Sequence, residues 1–245
     1  MEDLILTEVQ YRQLYNGLRV TLAVLGWAFV LGVTLSLLFG IMRLSSHRII
    51  RGVALAYVEV ARGVSSIILL FLMAYTIPTL LGVSQGSRLA LGSIALGINM
   101  GGYGAEIVRG SITSVPKGQT EATIALNLTP TQRLRFVVLP QALRIILPPF
   151  GNLTIEILKG TALVSLIALP DLMQTVEIIR QQQLADQVAD ITSVFINVLM
   201  IYFIVAQAIN GVFRLAERLV ASRFRSRKKP IPELASSDAQ TGAGR

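Results

Sequence analysis

Long apolar runs separated by short polar stretches set the pattern of this chain. Residues 1–16 are polar and mixed, with Glu2, Asp3 and Glu8 set against Arg12. An apolar run then extends from Leu18 to Met42, interrupted by Arg19, and ends in Arg43, His47, Arg48 and Arg51. A second covers about Val53 to Leu81 and holds Glu59 and Arg62. The third, Leu89 to Val108, is rich in glycine: Gly92, Gly97, Gly101, Gly102 and Gly104. After a polar stretch from Arg109 to Arg135, a fourth run starts near Val137 and reaches Leu158, broken by Pro140 and by Pro148-Pro149. An amphipathic piece, Thr161 to Gln183, precedes the last run, Ile191 to Val212. About 20 apolar residues cross a bilayer. In lipid, a segment without an alternating strand pattern must satisfy its backbone as a helix. The pattern therefore predicts an all-α membrane protein of about five spans.

Composition agrees. The 245 residues are 53% hydrophobic and 15% charged, against about 25% charged in an average soluble domain. Cysteine is absent and there is one histidine. That excludes disulfides, thiolate nucleophiles and Cys-ligated zinc, and leaves little for a Ser-His-Asp triad. His47 sits in a short basic loop and is read as solvated. The net charge of +8 reports topology. With the N-terminus outside, the inner segments hold sixteen Lys and Arg and the outer segments five, with Arg62 inside a span. Cytoplasmic loops carry the excess of basic residues, so the expected orientation is N-out, C-in. The basic tail then anchors topology, and no nucleic-acid partner is expected. The first residues lack the positive stretch that opens a signal peptide. The expected organisation is an extracytoplasmic segment 1–16, a membrane domain 17–215 and a flexible basic tail 216–245.

The inner segment from Val115 to Pro149 is too long for an ordinary turn. Gly118 to Leu126 has good helix formers. Asn127 suits the left-handed conformation that ends a helix. Thr129 and Gln132 have capping-box spacing, and Pro130 sits where a first-turn proline is tolerated. Pro140 is expected to break the chain again. The result is a helical hairpin on the cytoplasmic face. Such a hairpin either docks its apolar face on a partner protein or lies in the membrane interface.

Ionisable residues in apolar runs are costly and are functional candidates. Glu59 and Arg62 are three apart, as are Glu106 and Arg109, and each pair can bridge along a helix. Glu156 has only Lys159 in helical register. It either pairs with Lys159 or faces a polar cavity. Thr161 and Ser165, four apart, are expected on one face, lining the path or making helix–helix hydrogen bonds. Together Arg62, Glu156, Lys159, Thr161 and Ser165 form the candidate substrate path. Arg62 would attract a carboxylate and Glu156 an ammonium group. Gly101, Gly102 and Gly104 permit close helix packing or expose backbone to substrate.

Glu121-Ala122-Thr123, then Asn127, then Leu139-Pro140 resembles the EAA loop of ABC importer permeases. Thr123 replaces the second Ala of that pattern, and Asn127 replaces its Gly. The segments YVEVARG (57–63), GAEIVRG (104–110), VPKGQ (115–119) and KGTALVSLI (159–167) resemble the polar-amino-acid branch. The likeness covers about residues 15 to 215. After the Arg62-Gly63 signature, Val64-Ser65-Ser66 stands where a Pro-containing stretch often follows.

The resemblance implies a membrane subunit of an ATP-driven importer in the bacterial cytoplasmic (inner) membrane. Two ABC ATPase subunits, a second identical or homologous permease and an extracytoplasmic solute-binding protein are the implied partners. Glu121, Ala122, Thr123, Asn127, Leu139 and Pro140 (within about 115–140) are the implied ATPase-coupling residues. No cofactor is expected in this chain. It has no G-x-x-x-x-G-K-[ST] loop to cradle phosphates, and ATP and magnesium would be held by the partner ATPase. In the branch, acidic residues often occur where this chain has Leu153 and Gly160. An acidic or neutral amino acid, or a compatible solute, is therefore expected ahead of a cationic amino acid. A secondary transporter or channel is the alternative, against which no internal repeat is visible. A membrane enzyme would have only Glu59, Arg62, Glu106 and Glu156 to work with.

Overall fold

The computed structural model describes residues 6–82, 87–185 and 191–223, and its regular elements are all helices. Helix α1 is Glu8–Met42. Thr7 starts it: its Oγ1 accepts from the Gln10 amide at 3.4 Å, and Gln10 Oε1 accepts from the Thr7 amide at 2.9 Å. This reciprocal cap lets the helix begin upstream of the apolar run, inside the segment expected to precede the membrane domain. At the other end, α10 (Ile191–Arg223) continues past the expected tail boundary at residue 216. The remainder of the expected tail lies outside the described residues.

The second apolar run is two helical arms, not one straight span. Helix α2 (Arg48–Gly63) and the arm Ser66–Leu80 meet at 103°. That arm comprises α3 (Ser66–Phe71), a π-helical turn (Leu72–Thr76) and α4 (Ile77–Leu80). Gly63 is a poor helix former. Val64 and Ser65 then take extended ψ values of 133° and 136°, which turn the chain.

Helix α5 (Arg88–Thr113) occupies the centre. It packs along α1 and also meets α2 and α8. Glycines on both helices bring α1 and α5 together. A Cβ on Gly40 would stand 2.8 Å from Val108 Cβ, and one on Gly97 would stand 2.9 Å from Leu31 Cδ2. The glycine cluster of the third run thus serves close packing, and overfilling such a contact costs about 1–3 kcal/mol.

The inner hairpin follows: α6 (Lys117–Ala125), α7 (Pro130–Arg133), a π-helical turn (Leu134–Val138) and α8 (Leu139–Gly160). Pro140 does not break the chain. The wide turn ahead of it lets the Leu139 amide reach the Leu134 carbonyl. A proline with no N–H to donate is then accommodated in the first turn of α8. The expected amphipathic piece is a 3-10 helix, Thr161–Ile167, then α9 (Leu172–Ala185). Ala168, at φ 54°, separates them.

Among the described residues, three stretches are long and apolar enough to cross a membrane: Glu8–Met42, Pro130–Ile167 and Ile191–Ser222. The bent pair makes a fourth if counted as one broken span. Helix α5 is not among them, because its glycines, Asn99 and Glu106 dilute its apolar content.

Candidate functional site

A cavity of about 390 Å³ opens where α2, α5 and α8 meet. The last turn of α2 supplies Arg62. Helix α5 supplies Tyr103, Glu106 and Ile107, at helical spacing of three and four. Helix α8 supplies Pro149, Asn152, Leu153 and Glu156, one continuous stripe at the same spacing. Pro149 has no N–H, so the carbonyl one turn before it lacks its usual helical donor.

The end of α2 is held by α5. A Cβ on Gly102 would stand 2.7 Å from Ala61 Cβ, so only glycine lets the two backbones approach. Tyr57 stacks on Phe39, ring centroids 3.9 Å apart, and donates its hydroxyl to the Ile98 carbonyl at 3.0 Å. Asn99 Nδ2 donates to the Ala61 carbonyl at 3.2 Å. These contacts fix where Arg62 emerges.

Arg62 and Glu59 do not form the ion pair that their spacing allowed; no such pair occurs among the described residues. The Arg62 guanidinium lies over the Tyr103 ring, 5.4 Å from its centroid. The pair Glu106–Arg109 does form, with Arg109 Nε donating to Glu106 Oε1 at 3.0 Å. The second carboxylate oxygen accepts from Arg43, the residue that caps the C-terminus of α1. Glu156 and Lys159 are not an ion pair either. Glu156 lines the cavity, whereas Lys159 lines a separate, mostly apolar groove of about 610 Å³ between α8, α9 and α10.

The five candidate path residues therefore separate. Arg62 and Glu156 share the cavity. Lys159, Thr161 and Ser165 lie apart from it. Thr161 is fully buried and donates to the Leu158 carbonyl at 2.6 Å. Ser165 donates to the Ala162 carbonyl at 2.7 Å. The 3-10 winding has three residues per turn, so residues four apart no longer share a face as they would on an α-helix. Tyr103 and Asn152 were not singled out in the sequence, although they stand one turn from Glu106 and Glu156. In the sequence Arg43 reads only as a loop charge at the end of the first apolar run.

The inner hairpin has the geometry that its residues predict. Asn127 sits at φ 54°. Its amide donates to the Ile124 carbonyl at 2.9 Å, and the Leu128 amide to the Thr123 carbonyl at 3.1 Å. This is the paired-bond ending that a left-handed residue permits. Thr129 Oγ1 accepts from the Gln132 amide at 3.3 Å, and Gln132 Oε1 from the Thr129 amide at 2.9 Å. Thr123 is buried and turned into the protein, while Glu121 and Ala122 are exposed. Ile124, Leu126 and Phe136 are also exposed, an apolar face available to a partner. Leu139 and Pro140 are half-buried at the start of α8. Gln141 Nε2 donates to Gln119 Oε1 at 3.1 Å, tying α6 to α8.

Among the described residues, no group of three or more His, Cys, Asp or Glu could hold a metal ion.

Comparison with known proteins places this geometry. Residues 32–225 match the family described as the binding-protein-dependent transport system inner membrane component. A probable amino-acid ABC transporter permease protein, y4tF, of Sinorhizobium fredii is 38% identical over 218 residues, covering 87% of this chain and 89% of that protein. The L-cystine transport system permease protein TcyB of Bacillus subtilis is 34% identical over 205 residues, with coverage of 84% and 85%. Among solved structures, an amino acid ABC transporter crystallised with histidines superposes with a TM-score of 0.76 at 33% identity, over 86% of this chain and 95% of that one. The chain belongs to the binding-protein-dependent transport inner membrane components, as an ABC importer permease of the polar amino acid branch: a non-catalytic, multi-pass subunit of the bacterial inner membrane.

Proposed function

We propose that this permease passes a zwitterionic solute, an acidic or neutral amino acid or a compatible solute, through the cavity between α2, α5 and α8. One observation carries the reading: Arg62 and Glu156, of opposite charge and in no ion pair with a described residue, line one cavity. A free amino acid carries a carboxylate and an ammonium group, so the two walls complement its two ends. Charge-assisted hydrogen bonds are about twice as strong as neutral ones. Leu153, on the same wall as Glu156 and one turn before it, offers an uncharged surface to the rest of the solute. L-cystine and histidine, named for two similar proteins, both have the ammonium and carboxylate that this cavity suits.

The chain is read as N-out, C-in with five spans, α5 being the central one. Two ATPase subunits bind the exposed face of the hairpin, hold ATP and magnesium, and drive the cycle. A second permease, identical or homologous, and a solute-binding protein complete the importer. Glu121 holds the hairpin in the ATPase groove, and Ala122 keeps that contact close.

The test is uptake into proteoliposomes containing the permease co-purified with its ATPase and solute-binding protein, against a panel of the twenty radiolabelled amino acids. Arg62→Gln and Glu156→Gln are expected to lower ATP-driven uptake by about tenfold or more at equal amounts of assembled complex. Glu121→Ala is expected to remove solute-stimulated ATP hydrolysis. Uptake at wild-type levels in both cavity variants rejects the assignment of the path.

A further inference from the structure

Three arginines and one carboxylate meet at the edge of the cavity. Arg43 caps the C-terminus of α1, where a cation also suits the helix dipole. It donates to one oxygen of Glu106. Arg109, one turn along α5, donates to the other from Nε at 3.0 Å and also from Nη2. Arg62 lines the same cavity as Glu106 yet makes no ion pair with it, and rests over Tyr103 instead. Of the two acids on the cavity wall, Glu106 and Glu156, Glu106 stands one turn along α5 from Tyr103, the ring on which Arg62 rests. Its two oxygens are already taken from two directions.

We infer that Arg43 and Arg109 are positioning residues for solute recognition: by occupying the Glu106 carboxylate they keep the Arg62 guanidinium free for an anionic group of the solute. The inference rests on the proposed reading of Arg62 as a solute contact. An arginine beside an unclaimed carboxylate forms a charge-assisted, often bidentate, pair. Without Arg43, one Glu106 oxygen is released toward the cavity and Arg62 closes on it. The cation is then spent inside the wall, although Arg62 itself is unaltered. Neither Arg43 nor Arg109 lines the cavity, so their effect passes through Glu106.

The experiment measures KM and kcat of ATP-driven uptake by the reconstituted complex, for the amino acid that the wild-type complex takes up fastest from the panel. Arg43→Gln is expected to raise KM about tenfold or more with a smaller change in kcat. Arg43→Lys, which keeps a cation at Glu106, is expected to recover most of the loss. The double variant Arg43→Gln with Glu106→Gln is expected to recover it too, because Arg62 then has no carboxylate to close on. A merely structural ion pair predicts the opposite, since the double variant has lost the pair as fully as the single one. A double variant as weak as Arg43→Gln alone overturns the inference, as does an unchanged KM in Arg43→Gln. If Arg43→Gln does not assemble, Arg109→Gln with and without Glu106→Gln reads the same rescue. Arg62→Gln run alongside separates the two ideas: a wild-type KM there removes the parent reading, whereas a raised KM with no rescue of the Arg43 variant removes this one alone.

Discussion

Asn99 Nδ2 donates to the Ala61 carbonyl at 3.2 Å, at the point where the chain leaves α2 and turns by 103° into the arm Ser66–Leu80. In an uninterrupted helix that carbonyl would accept from the amide of Ser65. Because Val64 and Ser65 are extended, the carbonyl is released and a buried side chain of α5 takes it.

Replacing Asn99 by Leu keeps the branched outline of the side chain and removes the donor. A buried carbonyl left without a partner costs about 1–3 kcal/mol. Asn99→Leu is therefore expected to lower the thermal midpoint of the detergent-solubilised permease and to weaken uptake, since Arg62 is the residue after Ala61. An unchanged midpoint would mean that the broken carbonyl finds another donor.

Asn127 holds a left-handed backbone at φ 54° between α6 and α7. Asn127→Gly is expected to preserve the hairpin. Asn127→Val places a β-branched residue in a conformation that costs an ordinary L-residue roughly 1–2 kcal/mol. The expected result is loss of solute-stimulated ATP hydrolysis in the valine variant and retention in the glycine variant. Equal activities would show that coupling does not depend on this turn.

Topology can be read with introduced thiols, because the chain has no cysteine. Ser46 and Ser87 are both exposed and precede α2 and α5 respectively. An impermeant maleimide applied to intact cells is expected to label Ser87→Cys and spare Ser46→Cys. The reverse pattern inverts the orientation drawn from the basic-residue count.

Asp171 lies in the connection between the spanning segments, fully buried, and caps α9 by accepting from the Gln174 amide at 2.9 Å and the Met173 amide at 3.2 Å. Burial outweighs these bonds and pushes its carboxyl up from the usual carboxylate range to about 6. The folded state then binds its proton more tightly than the unfolded chain does. The contribution of this group to stability is full below the unfolded value near 3.8 and falls as pH rises to about 6. The loss amounts to roughly 3 kcal/mol by neutral pH. Asp171→Asn keeps a capping oxygen and does not titrate. Thermal midpoints in detergent between pH 4 and pH 8 are expected to lose this fall in the variant and to lie above wild type at neutral pH. Parallel curves would remove Asp171 as the titrating group.

Local chemistry was legible along the chain. The apolar runs named the helices, because helix is the conformation in which a lipid-embedded backbone meets its own hydrogen bonds. Asn127, Thr129 and Gln132 announced the hairpin, because capping depends on residues within one turn of each other. The charged residues Arg62 and Glu156 stood out from apolar surroundings and do share a cavity. What the sequence left open depended on residues distant along the chain. Arg43 and Glu106 are 63 positions apart, and no local spacing says that α1 ends beside α5. The same holds for Ala61 and Asn99. The separation of Glu156 from Lys159 and the 3-10 winding around Thr161 and Ser165 likewise follow from how α8 packs against its neighbours. The tertiary structure decided which charges pair with each other and which are left facing the cavity.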